Sequence, residues 1–225
     1  HIRHVLAKIE RKFGVEIDTS EVRVAYRETI TGSASGEGKY KKQSGGHGQF
    51  GVAFVRLEPL SSGKGFEFVD EVKGGVIPRQ LIPAVETGIR EAMAFGGTSG
   101  YPVVDVKASV YDGKHHAVDS SEMSFKMAGR LAFQEALSAC RPVVLEPIAS
   151  VEVITPSECL GDVMGDLSSR RATVQGSDVD EWGDQIITAL VPESELIRYA
   201  IDLRSITGGR GKFTTKHDHY AQVPG

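Results

Sequence analysis

At 225 residues and 24.3 kDa the chain is long enough for two ordinary domains or one large one. Its 40% hydrophobic and 25% charged residues are those of a globular protein, and a net charge of −4 with a pI near 6.0 argues against a generic polybasic nucleic-acid coat. No run approaches the roughly 20 apolar residues of a membrane span. The two cysteines, Cys140 and Cys159, match no zinc spacing and are expected to be buried thiols.

His1 to Lys12 reads as the end of an amphipathic helix, with Ile2, Val5, Leu6 and Ile9 on one face, and Val15 to Asp18 as a short strand. The chain has neither an initiator methionine nor a signal-type apolar region here, so it is expected to be a piece of a longer protein. Val22 to Ile30 starts a new extended run. From Thr31 to Gly51 the sequence turns polar and glycine-rich, with Lys39, Lys41 and Lys42 just before the tight turn of Gln43 to Gly51. Strands are predicted over Val52–Leu60 and Phe66–Val69. A helix then carries Val85, Ile89, Ala92 and Met93 on one face. Val104, Val106, Ala108 and Val110 alternate with polar residues as a strand buried on one side.

The stretch from Tyr111 to Cys140 organises what surrounds it. A polar turn follows the strand, and Asp119 with Glu122 three residues on suggests a capping box. Met123, Met127, Ala128, Leu131, Ala132, Ala136, Leu137 and Cys140 form a helical stripe expected to lie on a sheet. Pro142–Leu145 reads as a closing strand and Glu146-Pro147-Ile148 as a domain boundary. Beyond it the order is strand (151–154), helix (capped around Thr155 to Glu158), strand (172–174), strand (186–191), helix (196–206), strand (212–216). That is the βαββαβ, ferredoxin-like pattern, with helices covering one face of an antiparallel sheet. The expected class is therefore α+β.

Several clusters could carry chemistry. Asp112, His115, His116 and Asp119 are dense in metal-ligand types, but adjacent histidines cannot share a face as residues four apart on a helix do. His217 and His219 are no stronger. Gly36-Glu37-Gly38-Lys39 lacks both the first glycine and the final hydroxyl of a phosphate loop, which here are Ser33 and Tyr40. Ser44, Ser120 and Ser121 have no nucleophile elbow. No catalytic, cofactor or metal residue is assigned. A nucleic-acid surface is more credible, because Lys39, Lys41, Lys42 and His47 concentrate donors on a glycine-rich loop, with Gln43 and Gln49 able to reach sugar or base edges. A solvated hairpin with charged flanks fits the same composition. Arg170 and Arg171 at a helix end fit either RNA contact or the helix dipole.

At this point the motifs become specific. Gln43-Ser44-Gly45-Gly46-His47-Gly48-Gln49-Phe50-Gly51 resembles the QSGGRGQYG loop of bacterial elongation factor G. Gly74–Pro78, Tyr101–Asp105, Val118–Glu122, Leu145–Ile148, Gly161–Arg171 and Asp202–Ser205 resemble further motifs of that family in the same order. The resemblance implies residues 1–22 as the end of domain III and 23–146 as domain IV, similar to the second domain of ribosomal protein S5. Its two tip loops fall at 43–51 and 113–121. Residues 147–225 become domain V, the ferredoxin-like unit already read from pattern.

It further implies a monomeric, cytoplasmic, ribosome-binding part of a translocation factor, with no membrane role. Domain IV would enter the small-subunit decoding site beside transfer RNA and messenger RNA, and domain V would lie near the sarcin–ricin loop and stalk base. GTP and magnesium would bind only in an N-terminal part absent from this chain, so the full-length protein, not this piece, would be the GTPase. The implied RNA contacts are Lys39, Lys41, Lys42, Gln43, His47, Gln49, Lys114, His115, His116, Asp119, Ser120, Arg170 and Arg171, with the family tip histidine falling on His116. His47 in place of arginine, Lys114-His115 in place of Ser-Tyr, and Ala172 in place of glycine depart from the translocase pattern. His47 and Tyr199–Ser205 resemble elongation factor G-like paralogues, which could act in ribosome recycling or protection instead.

Overall fold

The computed structural model describes residues 22–225, together with 9, 11 and 12. The expected strand at 15–18 and most of the expected first helix lie outside these residues. The first unit is a four-stranded sheet with two helices on one face. Its strands are β2 (Ala34–Ser44), β3 (His47–Pro59), β4 (Phe66–Asp70) and β5 (Val106–Lys114), in the order β2-β3-β5-β4. The pairs β2–β3 and β3–β5 run antiparallel, and β4–β5 runs parallel. Helices α1 (Ile82–Phe95) and α2 (Glu122–Ala139) supply the other layer. Parallel strands need a crossover, and α1 provides it between β4 and β5.

Glycine decides how closely these layers approach. A Cβ on Gly38 would lie 1.7 Å from the Ala128 carbonyl oxygen, and one on Gly36 2.4 Å from that of Ala132. The backbone of α2 therefore rests directly on β2. The same device joins the helices: a Cβ on Gly88 would meet the Lys126 carbonyl at 2.0 Å, and one on Gly129 the Val85 carbonyl at 2.5 Å. Around these contacts Val55, Leu57, Val85, Ile89, Val106, Val110, Phe125 and Phe133 form a dry core. The buried stripe of α2 thus runs through Phe125, Ala128, Ala132, Phe133, Ala136 and Leu137. Met123, expected inside, is half exposed: the buried face of the first turn is taken by Ser124 and Phe125, against Gly51 of β3, and Met123 falls with the half-buried Met127 and Leu131 on the flank of the helix.

The capping expectation is also corrected. The cap is Ser121, whose side chain accepts from Ser124 N at 3.2 Å while Ser124 Oγ accepts from Ser121 N at 2.8 Å. Serine at the third helical position does here what Glu122 was expected to do. Asp119 is left available for another task.

The second unit has strands β6 (Pro142–Thr155), β7 (Thr173–Val179), β8 (Gln185–Pro192) and β9 (Lys212–Gln222), with helices α3 (Leu160–Ser169) and α4 (Tyr199–Ile206). All its strand pairs are antiparallel. Strands β8 and β9 pair with the same β6 residues from opposite flanks, giving the order β9-β6-β8-β7 of a ferredoxin-like βαββαβ unit. The core gathers Val151, Val153, Val163, Leu167, Ile187, Val191, Tyr199 and Leu203. Both cysteines are buried thiols.

Strand β6 is longer than either strand expected there. It runs unbroken through Glu146-Pro147-Ile148, and Pro147, which has no N–H to donate, falls in the gap on one flank between the last β1 partner at Leu145 and the first β8 partner at Ile148. Its first residues pair with β1 (Arg27–Ile30), so one strand belongs to both units. β1 is clamped from the other side. Glu28 N donates to Pro102 O at 2.8 Å, Val104 N to Glu28 O at 2.9 Å, and Thr29 Oγ1 to Val104 O at 2.8 Å. The Glu28 carboxylate, 1% exposed, accepts from Thr98 Oγ1, Ser99 N and Tyr101 N. Across the junction Arg171 grips the buried Glu146 with two bonds of 2.7 and 2.9 Å, and Tyr220 donates to Ala25 O.

Two measurements test this packing. Gly38→Ala must push α2 off β2, because backbone atoms cannot step aside, and is expected to cost at least about 3 kcal/mol by urea unfolding. Tyr199 has a buried hydroxyl with no hydrogen-bond partner among the described residues, and burial, with Asp166 nearby, pushes its phenol up to about 12. The unfolded chain then loses that proton near the usual 10, before the folded one does, so stability falls as pH rises from about 10 to about 12. Tyr199→Phe should be neutral or stabilising by about 1 kcal/mol at pH 7 and should lack that alkaline component.

Candidate functional site

One end of the first unit carries most of the residues singled out from the sequence. The glycine-rich stretch is a tightly paired β-hairpin. β2 and β3 pair as far as Ser44 with His47, and only Gly45 and Gly46 form the turn. Both have positive φ, 58° and 98°, as the two-residue turn that matches strand twist requires. Gly36–Lys39 is likewise fully paired strand, closed on one side by α2, which leaves no room for a phosphate cradle.

The hairpin register arranges the cations. Lys39 and Lys114 stand opposite Val52 from its two neighbouring strands, and Lys41 stands opposite Phe50 one step nearer the turn. Residues directly opposite share a face. Lys39, Lys41 and Lys114 therefore make an exposed stripe on the face turned away from α2, although Lys114 lies far off in sequence. Lys42, opposite Gln49, takes the other face, and His47 is exposed just after the turn.

The second segment, 115–121, is bolted to this hairpin. Ser120 Oγ donates to Phe50 O at 2.7 Å and accepts from His116 N at 2.8 Å, while Phe50 N donates to Asp119 O at 2.8 Å. The His116 ring meets the Phe50 ring edge-on at 6.5 Å between centroids. Its Nδ1 accepts from Asp119 N at 3.2 Å and Val118 N at 3.3 Å. An acceptor Nδ1 places the proton of the neutral ring on Nε2, so the 3.4 Å approach of Asp119 Oδ2 to Nδ1 is a contact rather than an ion pair in this state. Gly48 lies close beneath it: a Cβ there would sit 2.7 Å from Asp119 Oδ2. His115 Nδ1 lies 3.0 Å from Val76 O, tying in a third loop, 74–77.

These contacts enclose a shallow cavity of about 260 Å³ lined by Lys41, Lys42, Gln43, Gly48, Gln49, Phe50, His116 and Asp119. It is rich in donors and rigid in backbone, with no apolar slot for a small organic substrate. Among the described residues no group of three or more His, Cys, Asp or Glu could hold a metal ion. Gly48 and Phe50 lie within the tip loop read from the sequence and Val76 within the Gly74–Pro78 motif, but the sequence singles out none of them as a contact, because Phe50 and Val76 act through main-chain atoms.

The arginine pair lies in the second unit and is differently engaged. Arg170, 12% exposed, bonds to Asp166, to Asp202 at 2.6 Å and to Glu195 O, and stacks 4.9 Å over the Tyr199 ring. Arg171, with φ 58°, is held by Glu146 and Glu195, and the Glu146 bonds raise its already high pKa. Both guanidinium groups are committed to carboxylates of the chain itself. Ser120 offers the sharpest test of the tip. Ser120→Ala strips a partner from His116 N and Phe50 O at once, and should cost about 2 kcal/mol by urea unfolding and speed amide exchange at 115–120.

Comparison with known proteins accords with this architecture. Residues 22–141 match the family model described as elongation factor G, domain IV, and residues 143–225 the one described as elongation factor G C-terminus. A crystal structure of a protein from Thermus thermophilus superposes with a TM-score of 0.89 at 42% identity, over 100% of this chain and 33% of that one. The chain thus spans about a third of the solved chain it matches. With one family model covering more than half of its residues and a second covering nearly all the rest of the described part, the chain belongs to the elongation factor G family.

Proposed function

We propose that this chain is the ribosome-binding portion of an elongation factor G-type protein, and that its braced tip enters the small-subunit decoding site during movement of transfer RNA and messenger RNA. The observation that carries the reading is the cross-bracing of two polar segments through Ser120, Phe50 and His116 at the end of a rigid sheet. A tip fixed by main-chain bonds can occupy space beside RNA without sequence-specific readout. In this reading domain III ends at residue 22, domain IV spans 23–146 and domain V 147–225. His116, through Nε2–H, together with Gln43, His47 and Gln49, touches the codon–anticodon region. Lys39, Lys41, Lys42 and Lys114 supply phosphate attraction. His115, Asp119 and Ser120 shape the tip, and Arg170 and Arg171 hold the part of domain V that faces the large subunit near the sarcin–ricin loop and stalk base.

No bond is made or broken by these residues. GTP and magnesium act in a domain of the whole cytoplasmic protein outside this chain, and hydrolysis there drives the tip in and out while it stops transfer RNA from slipping back. A second reading, ribosome recycling or protection, is favoured by His47 at the hairpin apex, where a fixed arginine charge gives way to a ring that carries one only when protonated.

Toeprinting of pre-translocation ribosomes with the full-length factor and GTP separates them. A three-nucleotide advance that slows about tenfold in His116→Ala, the loss of roughly 1.4 kcal/mol, supports translocation. GTP hydrolysis without advance supports the second reading. Replacing Lys41 and Lys42 by Gln should flatten the slope of log affinity against log salt by about one to two.

A further inference from the structure

The tip of the β7–β8 hairpin, at the far edge of the second sheet, takes no part in the site above. It carries Trp182, the chain's one tryptophan, 80% exposed, with Val179 and Val174 also exposed on the same hairpin. Every residue of β7 is exposed, and β7 pairs only with β8, so its other edge is open among the described residues. Tryptophan is among the residues enriched at the energetic centres of protein interfaces.

The ring is not on a slack loop. Asp180 Oδ1 accepts from Trp182 N and Asp184 N, both at 2.9 Å, Asp180 N donates to Asp184 O, and Ser157 Oγ donates to Gly183 O at 2.7 Å. A fixed aromatic loses little conformational freedom when it is covered.

Charge then selects the partner. From Thr173 to Gln185 there are four carboxylates, Asp178, Asp180, Glu181 and Asp184, and no basic residue. Arg210, a cation close to Asp184, is held at 2.6 Å by Glu158. Such a surface repels phosphates, so although an exposed tryptophan could stack on a base, this one is set against RNA. We infer that the β7–β8 hairpin is a docking surface for a lysine- and arginine-rich protein segment, with Trp182 packing under aliphatic stems and the carboxylates pairing with their charged ends.

The inference stands apart from the decoding-site reading and is tested on the whole chain. Trp182 is its own probe: its emission is followed while the chain is titrated with a synthetic lysine- and arginine-rich peptide, and separately with a single-stranded RNA oligonucleotide. The expected result is a saturable blue shift with the peptide that weakens about tenfold in Glu181→Lys, an exposed position whose side chain makes none of the hairpin's bonds, and none with RNA. An unchanged emission, an equal response in Glu181→Lys, or an equal or larger response to RNA would each overturn it.

Discussion

The absence of side chains between β2 and α2 is the constraint on which the first unit depends. Where Gly36 and Gly38 face Ala132 and Ala128, helix and strand backbones touch. The neighbouring row continues the theme, since Gly38, Ala53 and Gly113 stand opposite one another across three strands. Small residues in that row let α2 lie low on the sheet, and its first turn then falls beside the end of the hairpin. The position of His116 and Ser120 is thus a consequence of packing tens of residues away. A larger residue at Gly36 or Gly38 would move the helix and, with it, the loop that the helix anchors.

Strand β6 performs the corresponding task for the molecule as a whole. Because it pairs with β1 at one end and with β8 and β9 at the other, the two units share a hydrogen-bonded ladder instead of a loose linker. The Arg171–Glu146 fork and the Tyr220 hydroxyl reinforce the joint from the side. A buried carboxylate is tolerable at Glu146 only because the guanidinium satisfies both its oxygens, and the left-handed backbone of Arg171 is what aims that group. The arginine pair at the end of α3 is therefore best understood first as structure, whatever it meets outside.

Much of this was legible in the chain. Alternation marked β5, helical spacing marked α1, α3 and α4, and the order of elements gave the ferredoxin-like unit, because burial on one face writes a period of two or 3.6 residues into a sequence. The failures share a cause. Ser121 with Ser124 replaced the expected Asp119–Glu122 cap, since serine and carboxylate compete for the same orphan N–H groups and only the local backbone decides. Met123 was placed inside by periodicity, yet the face that meets the sheet is set by Ser124, Phe125 and Ala128, which leaves Met123 on the flank. The glycine-rich tract suggested a hairpin with charged flanks, and only the register showed how far its pairing runs, to Ser44 and His47. The strand at Pro142–Leu145 and the one at Val151–Ile154 proved to be one, since Pro147 falls in the gap between the β1 and β8 ladders.

The sequence by itself determined which residues are apolar, where the chain must turn, which donors are available and, through its motifs, which family it belongs to. These are local properties, fixed by each side chain and its near neighbours. Only the tertiary structure decided that Lys114 joins Lys39 and Lys41 on one face, that Ser120 bridges His116 to Phe50, and that Arg170 and Arg171 turn toward carboxylates of their own chain. Each of those depends on strand register and on hydrogen bonds from main-chain atoms that every residue carries alike. A pattern of side chains holds no record of which of them will meet.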